Sequence, residues 1–152
     1  MDIRHLVAAW FIGMIIISLA CAGCLGVKTP PVARPAAPAV FVDYYRTGGI
    51  AGFDDRLVIF DNGAAVVATK DGSKEIVLNS TDMNRISDMF MQAQFSMLQN
   101  NYPAPRGSLE LIRYSISYHG KTVTTEDSAV PPSLDPVLDE MNRIVKNAGI
   151  KA

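Results

Sequence analysis

The chain has 152 residues, a net charge of −1 and 49% apolar residues. That balance argues against a nucleic-acid partner and against a polybasic membrane patch, since both need clustered cations. Cys21 and Cys24 are its two cysteines, so everything after them lacks a disulfide, a thiol nucleophile and a thiolate metal ligand, and must hold together by packing.

Residues 6–27 form an uncharged, mostly apolar run, preceded by Asp2, Arg4 and His5 and closed by Lys28. A short, weakly basic start, an apolar stretch and small residues before a cysteine make the pattern of a secretory leader. Ala22-Gly23-Cys24 resembles the end of a lipobox, with Cys21 where an aliphatic residue is usual. Processing there would make Cys24 the lipid-bearing N-terminus. The run also reaches the ~20 apolar residues that span a bilayer, so a retained signal-anchor helix stays open as the alternative. Either way the rest of the chain is expected on the extracytoplasmic face of the cell membrane, anchored by its N-terminus. The C-x-x-C spelled by Cys21 and Cys24 lies inside this apolar leader and is not read as a redox or zinc motif.

Residues 28–39 carry Pro30, Pro31, Pro35 and Pro38, which favour an extended polyproline strut. At ~3.1 Å per residue it would hold the domain roughly 30–35 Å off the membrane. The division expected is a leader or anchor at 1–27, a Pro/Ala-rich linker at 28–39 and one folded domain at 40–152, a size usual for a single domain.

The folded part opens with aromatic and β-branched residues at 40–46, which predict a strand. A glycine-rich loop, Gly48-Gly49-Ile50-Ala51-Gly52-Phe53, follows, then a second strand at 56–60. Asn62-Gly63 is a strong hairpin signal, leading into a third strand at 64–69. A tight turn at 70–73 precedes a short fourth strand at 75–78. At Ser80 the period changes from two to 3.6. Ser80 or Thr81 is the expected cap, Asp82 sits in the first turn, and Met83, Ile86, Phe90, Ala93 and Met97 recur at helical spacing, with Met89 widening the stripe. Residues 100–108 read as a polar loop. Residues 109–118 alternate, with Ile112, Tyr114, Ile116 and Tyr118 on one side, and residues 121–126 return as their hairpin partner. After Val130-Pro131-Pro132, the residues Leu134, Val137, Leu138, Met141, Ile144 and Val145 form an amphipathic stripe. Ser133 or Asp135 is its expected cap, Pro136 fits its first turn and Gly149 its end. Strands followed by separate helices indicate α+β. The expectation is an antiparallel sheet, a meander plus a C-terminal hairpin, with two helices packed on one face.

Reactive groups are sparse. His119 is expected at a turn tip, in solvent. H-E-x-x-H, G-x-S-x-G and P-loop patterns are lacking. The acids Asp54-Asp55, Asp61, Asp71, Glu75, Glu126-Asp127 and Asp139-Glu140 are expected at turns or on exposed helix faces, serving solubility. The Asp71 to Glu75 spacing is not that of a calcium loop, and the helical methionines read as core. Nothing assembles a nucleophile, a base and an oxyanion site. The chain therefore reads as a non-enzyme with no catalytic residue, metal site or cofactor.

Several segments together resemble the emfourin family of small protein inhibitors of thermolysin-like zinc metallopeptidases. They are the loop Gly48-Gly49-Ile50-Ala51-Gly52, the helix end with Ala93 and Phe95, the strand core Tyr114-Ser115-Ile116, and Val130-Pro131-Pro132-Ser133-Leu134-Asp135-Pro136 before the last helix. The resemblance spans residues 44–146. It implies an inhibitor whose partner is a secreted zinc metallopeptidase. The candidate partner-binding residues are Gly48, Gly49, Ile50, Gly52 and Phe53, with Ile50 or Phe53 as the apolar anchor and Tyr102 in a second contact loop. The leader and the residues 62–79 depart from the family pattern. A second reading stays open, in which an envelope lipoprotein uses the same scaffold to bind a different partner.

Overall fold

Strand β1 (Val40–Gly48) is the spine of the structure, because it is paired on both sides. The computed structural model describes residues 36–106 and 111–150; Cys24, the leader and most of the linker lie outside the described residues. On one side of β1 runs β2 (Phe53–Phe60), then β3 (Ala64–Thr69) and β4 (Gly72–Val77). On the other side runs β6 (Ile112–Tyr118), then β7 (Lys121–Glu126) and the two-residue β5 (Asn101–Tyr102). All pairings are antiparallel except β5 with β7, which is parallel. With helices α1 (Ser80–Gln92) and α2 (Asp135–Asn147) this is an α+β protein.

The alternation of side chains divides the sheet cleanly. Val42, Tyr44, Leu57, Ile59, Ala65, Val67, Tyr114, Ile116 and Val123 are buried, and they join one apolar cluster with Ile86 and Phe90 of α1 and the buried stripe of α2. Every residue of the expected α2 stripe, from Leu134 to Val145, is buried.

Several boundaries differ from the sequence expectation. β1 continues to Gly48 and β2 begins at Phe53, because the double pairing of β1 supplies ladder partners as far as Gly48 with both Phe53 and Ile112. The glycine-rich loop is thereby reduced to a tight turn. β4 likewise starts at Gly72, opposite Thr69. β5 arises within the expected polar loop. It is held by the Thr124 amide donating to the Asn100 carbonyl at 2.9 Å and the Thr124 hydroxyl donating to Asn101 at 2.8 Å.

The cap of α1 is Asn79, whose side-chain oxygen accepts from the Asp82 amide at 2.9 Å; the expected caps Ser80 and Thr81 lie inside the helix. α2 has neither expected cap. Its N-cap position is Leu134, which contributes a buried side chain instead of a hydrogen bond. Met97 is not core but 81% exposed. Gln94 turns left-handed at φ 48°, which ends the helical register before the short 3-10 turn Phe95–Met97 and swings Met97 outward. Asp55 and Glu140, expected in solvent, are buried and ion-paired. Glu140 of α2 accepts from Arg85 of α1 at 2.8 Å and from its own neighbour Arg143 at 2.6 Å, so it ties the two helices together.

Replacing Asn79 with Ala leaves the Asp82 amide without its side-chain acceptor and is expected to destabilise the fold by about 1 kcal/mol. Asn79→Ser, which restores an oxygen at the cap, should recover most of that loss. Chemical denaturation of both variants checks the assignment.

The candidate binding loop

Between β1 and β2 the chain reverses through Gly49, Ile50, Ala51 and Gly52. The Gly52 amide donates to the Gly49 carbonyl at 2.9 Å, closing the turn. The Gly49 amide donates to the Leu111 carbonyl at 3.1 Å, which docks the turn on the segment leading into β6. Two glycines are required by that docking. A Cβ on Gly48 would stand 2.6 Å from the Leu111 carbonyl oxygen, and one on Gly49 would stand 2.8 Å from the Ile112 side chain. Their φ angles, +86° and +69°, are also in the left-handed region that favours glycine. Gly48 and Gly49 thus shape the turn through backbone packing. Gly52 has open space around its Cβ position.

Ile50 sits at the tip and is 88% exposed. Its side chain is free to be covered by a partner, and covering it would be favourable. Phe53 plays a different part. Its ring is half-buried beneath the Arg46 guanidinium, 3.8 Å from the ring centroid, so it supports the turn from below. Tyr102 is three strands away at the same end of the sheet, paired with Thr125, which in turn pairs with Tyr114. Its hydroxyl accepts from the Gln99 amide at 2.8 Å. The structure therefore brings Gly48, Gly49, Ile50, Gly52 and Phe53 into one turn and leaves Tyr102 on the far margin of the same sheet end.

Beneath the turn lies a polar network that sequence reading missed. Arg46 donates through Nε to Asp55 at 2.9 Å and also through Nη2 to the same oxygen, while its Nη1 donates to Asn142 of α2 at 2.9 Å. The Tyr44 hydroxyl donates to the same Asn142 oxygen at 2.6 Å. Burial keeps the Tyr44 phenol protonated far above its ordinary range, with Arg46 opposing that shift. The network joins β1, β2 and α2 within two residues of Gly48. Its one sequence signal is parity: Arg46 and Asp55 continue the inward positions of Tyr44 and Leu57. On the outer face, the Tyr45 hydroxyl donates to Asp54 at 2.8 Å and Arg56 pairs with Asp43, adding two more ties between β1 and β2.

Near the loop, Glu126 accepts from the Ala104 amide at 2.7 Å and from Arg113 at 3.0 Å, and these bonds hold its carboxyl below the usual range. Among the described residues, no three His, Cys, Asp or Glu side chains converge as a metal site, and no helix is long and apolar enough to cross a membrane. Compared with known proteins, the chain matches no protein-family model and no curated sequence.

Removing one partner of a buried ion pair strands the other charge, at a cost of about 3–5 kcal/mol, whereas replacing both by apolar residues is often near neutral. Because Arg46 keeps 16% of its side chain in water, that range is an upper bound here: Arg46→Met should destabilise by up to that amount, and Arg46→Met with Asp55→Leu should regain most of it. A double-mutant cycle on unfolding free energy tests this.

Proposed function

We propose that this protein is a membrane-tethered, extracytoplasmic, non-enzymatic binding module that engages a partner through the turn carrying Ile50, with a thermolysin-like zinc metallopeptidase as the partner implied by the family resemblance. The scaffold of this reading is a four-strand meander joined through β1 to a C-terminal hairpin, with both helices covering one sheet face. The observation that carries it is Ile50: an exposed aliphatic residue on a rigid turn, with no fold-level reason to be apolar. Exposed apolar groups on pre-ordered elements suit them as interface anchors, because little entropy is lost when they are covered.

Position supports the same choice. The folded part starts at Val40 and the turn follows Gly48, so β1 sets the turn about 26 Å from Val40, at ~3.3 Å per strand residue. The sheet edges are less suited to adding a partner strand. β5 has two residues, and β4 turns Lys74 inward, where its ammonium donates to the Ala148 carbonyl at the end of α2 at 2.7 Å. An inward charge on an edge strand discourages further strand pairing. Gly48 and Gly49 act here as supports and Phe53 as a brace, which leaves Ile50 as the anchor. Lipidation at Cys24, or a retained apolar helix, would supply the tether.

Full burial of an isoleucine contributes about 1.5–3 kcal/mol, and each 1.4 kcal/mol is tenfold in affinity. Ile50→Asp should weaken inhibition of a susceptible thermolysin-like peptidase at least tenfold while leaving the unfolding midpoint unchanged, because position 50 makes no core contact. Inhibition constants measured beside thermal unfolding test both halves; undiminished inhibition would remove the turn from the interface.

A further inference from the structure

A second surface lies at the opposite end of the sheet. It is a groove of about 590 Å³ between the end of α1 and the β6–β7 turn, within the volume range of ligand sites. Phe90 and Tyr118 stack on its floor at 4.1 Å, and Phe95 meets Phe90 edge-on at 5.1 Å. Met91 and Met97 rise beside it, 69% and 81% exposed. Among the described residues, the two non-glycine positions with positive φ are Gln94 at 48° and His119 at 46°, and both line this groove. Backbone strain of this kind collects at functional sites. The lining cation, Lys121, is held at the rim by the Ser96 and Leu98 carbonyls, so the groove is apolar with one fixed positive charge and no lining carboxylate.

The groove lies where the tether joins. Phe41, the second residue of β1, packs edge-on against Tyr118 at 5.3 Å and against His119 at 5.9 Å. Beside it the Ala39 carbonyl accepts from the Asp61 amide at 2.9 Å. Val40 and Val77 are exposed at this same end, the first opposite Phe60 and the second opposite Ala64. Of the six large exposed apolar residues described, Met91 and Met97 line the groove, Val40 lies at the start of β1 beside it and Val77 stands at the same sheet end on the far edge strand, against Ile50 alone at the loop end and Tyr45 on the sheet face.

We infer that this end of the domain rests on the lipid bilayer, with Met91 and Met97 inserted at the boundary of headgroups and acyl chains and the groove accepting lipid. The inference builds on the tethered reading above. The chain preceding Val40 holds the 22-residue apolar run 6–27 and a linker of 12 residues, 28–39, so the linker's reach is the upper limit on separation from lipid, and the contact proposed here replaces the stand-off expected of a fully extended strut. Covalent tethering raises the local concentration of the surface to roughly millimolar, enough for a small apolar patch to stay engaged. Methionines are flexible enough to adapt to disordered chains, and interfacial groups insert about 5–10 Å. The single Lys121 charge adds only a weak attraction to anionic headgroups, so contact should persist on neutral phosphatidylcholine and depend only weakly on salt. Seated this way, the domain holds β1 upright and points Ile50 into the surrounding medium.

The test uses the full chain in phosphatidylcholine vesicles. Trp10, the sole tryptophan, is replaced by Phe, and a reporter is placed by Met97→Trp, or by Ile50→Trp as the distal control. With lipids brominated near the headgroup, the reporter at 97 is expected to shift to the blue and lose most of its emission, while the reporter at 50 keeps its solvent-like spectrum. A chain that floats with the vesicles but leaves the reporter at 97 in water overturns this inference alone. A chain that does not float overturns the tethered reading together with it. A blue shift without lipid quenching that grows with protein density assigns the groove to a second copy and also overturns it.

Discussion

A guanidinium largely withdrawn from water among β1, β2 and α2 is the constraint on which the loop end depends. Arg46 cannot be taken out of water without a partner, and Asp55, Asn142 and the ring of Phe53 together satisfy it. Because those partners come from different elements, satisfying one charge also sets the register of β1 on β2, the seating of α2 and the base of the turn. The hydrogen bond from Gly49 to Leu111 then fixes the turn from its other side. The turn that carries Ile50 is thus braced by a network that begins two residues before Gly48.

The molecule is polarised along β1. One end carries exposed aliphatic and thioether side chains and an aromatic groove beside the start of β1, and the other presents a single aliphatic residue above a charged, hydrogen-bonded base. The core between them is continuous, running from Phe90 and Tyr118 through Val42 and Tyr44 to Tyr114 and α2. Both ends are therefore carried on one rigid sheet. The proposed division of labour, membrane contact at one end and partner contact at the other, follows from that geometry and needs no moving part.

How much of this was legible in the sequence depended on whether a signal was periodic. The α2 stripe and the alternation of Ile112 to Tyr118 repeat over many residues, and both emerged as read. Asn62-Gly63 gave its turn because the preference is local. Signals that depend on a distant partner were not readable. Asp55 and Glu140 resemble surface acids until Arg46, Arg85 and Arg143 are brought to them. Strand β5 exists only because Thr124 lies alongside it. Met97 fits a helical stripe on paper, but a left-handed Gln94 ends the helix first. At the loop, the glycines were visible as a group, while the reason for two of them, the close passage of Leu111 and Ile112, belongs to a segment 60 residues away in sequence.

The most direct test of the central claim, that Ile50 is the point of contact, is site-specific photo-crosslinking with a benzophenone side chain in place of Ile50 and, separately, in place of Tyr45 on the sheet face. Incubated with a thermolysin-like metallopeptidase, the chain labelled at 50 should form a single covalent adduct that vanishes when a hydroxamate inhibitor fills the zinc cleft, and the chain labelled at 45 should form none. Equal adducts from both positions, or an adduct at 50 indifferent to the occupied cleft, would contradict it.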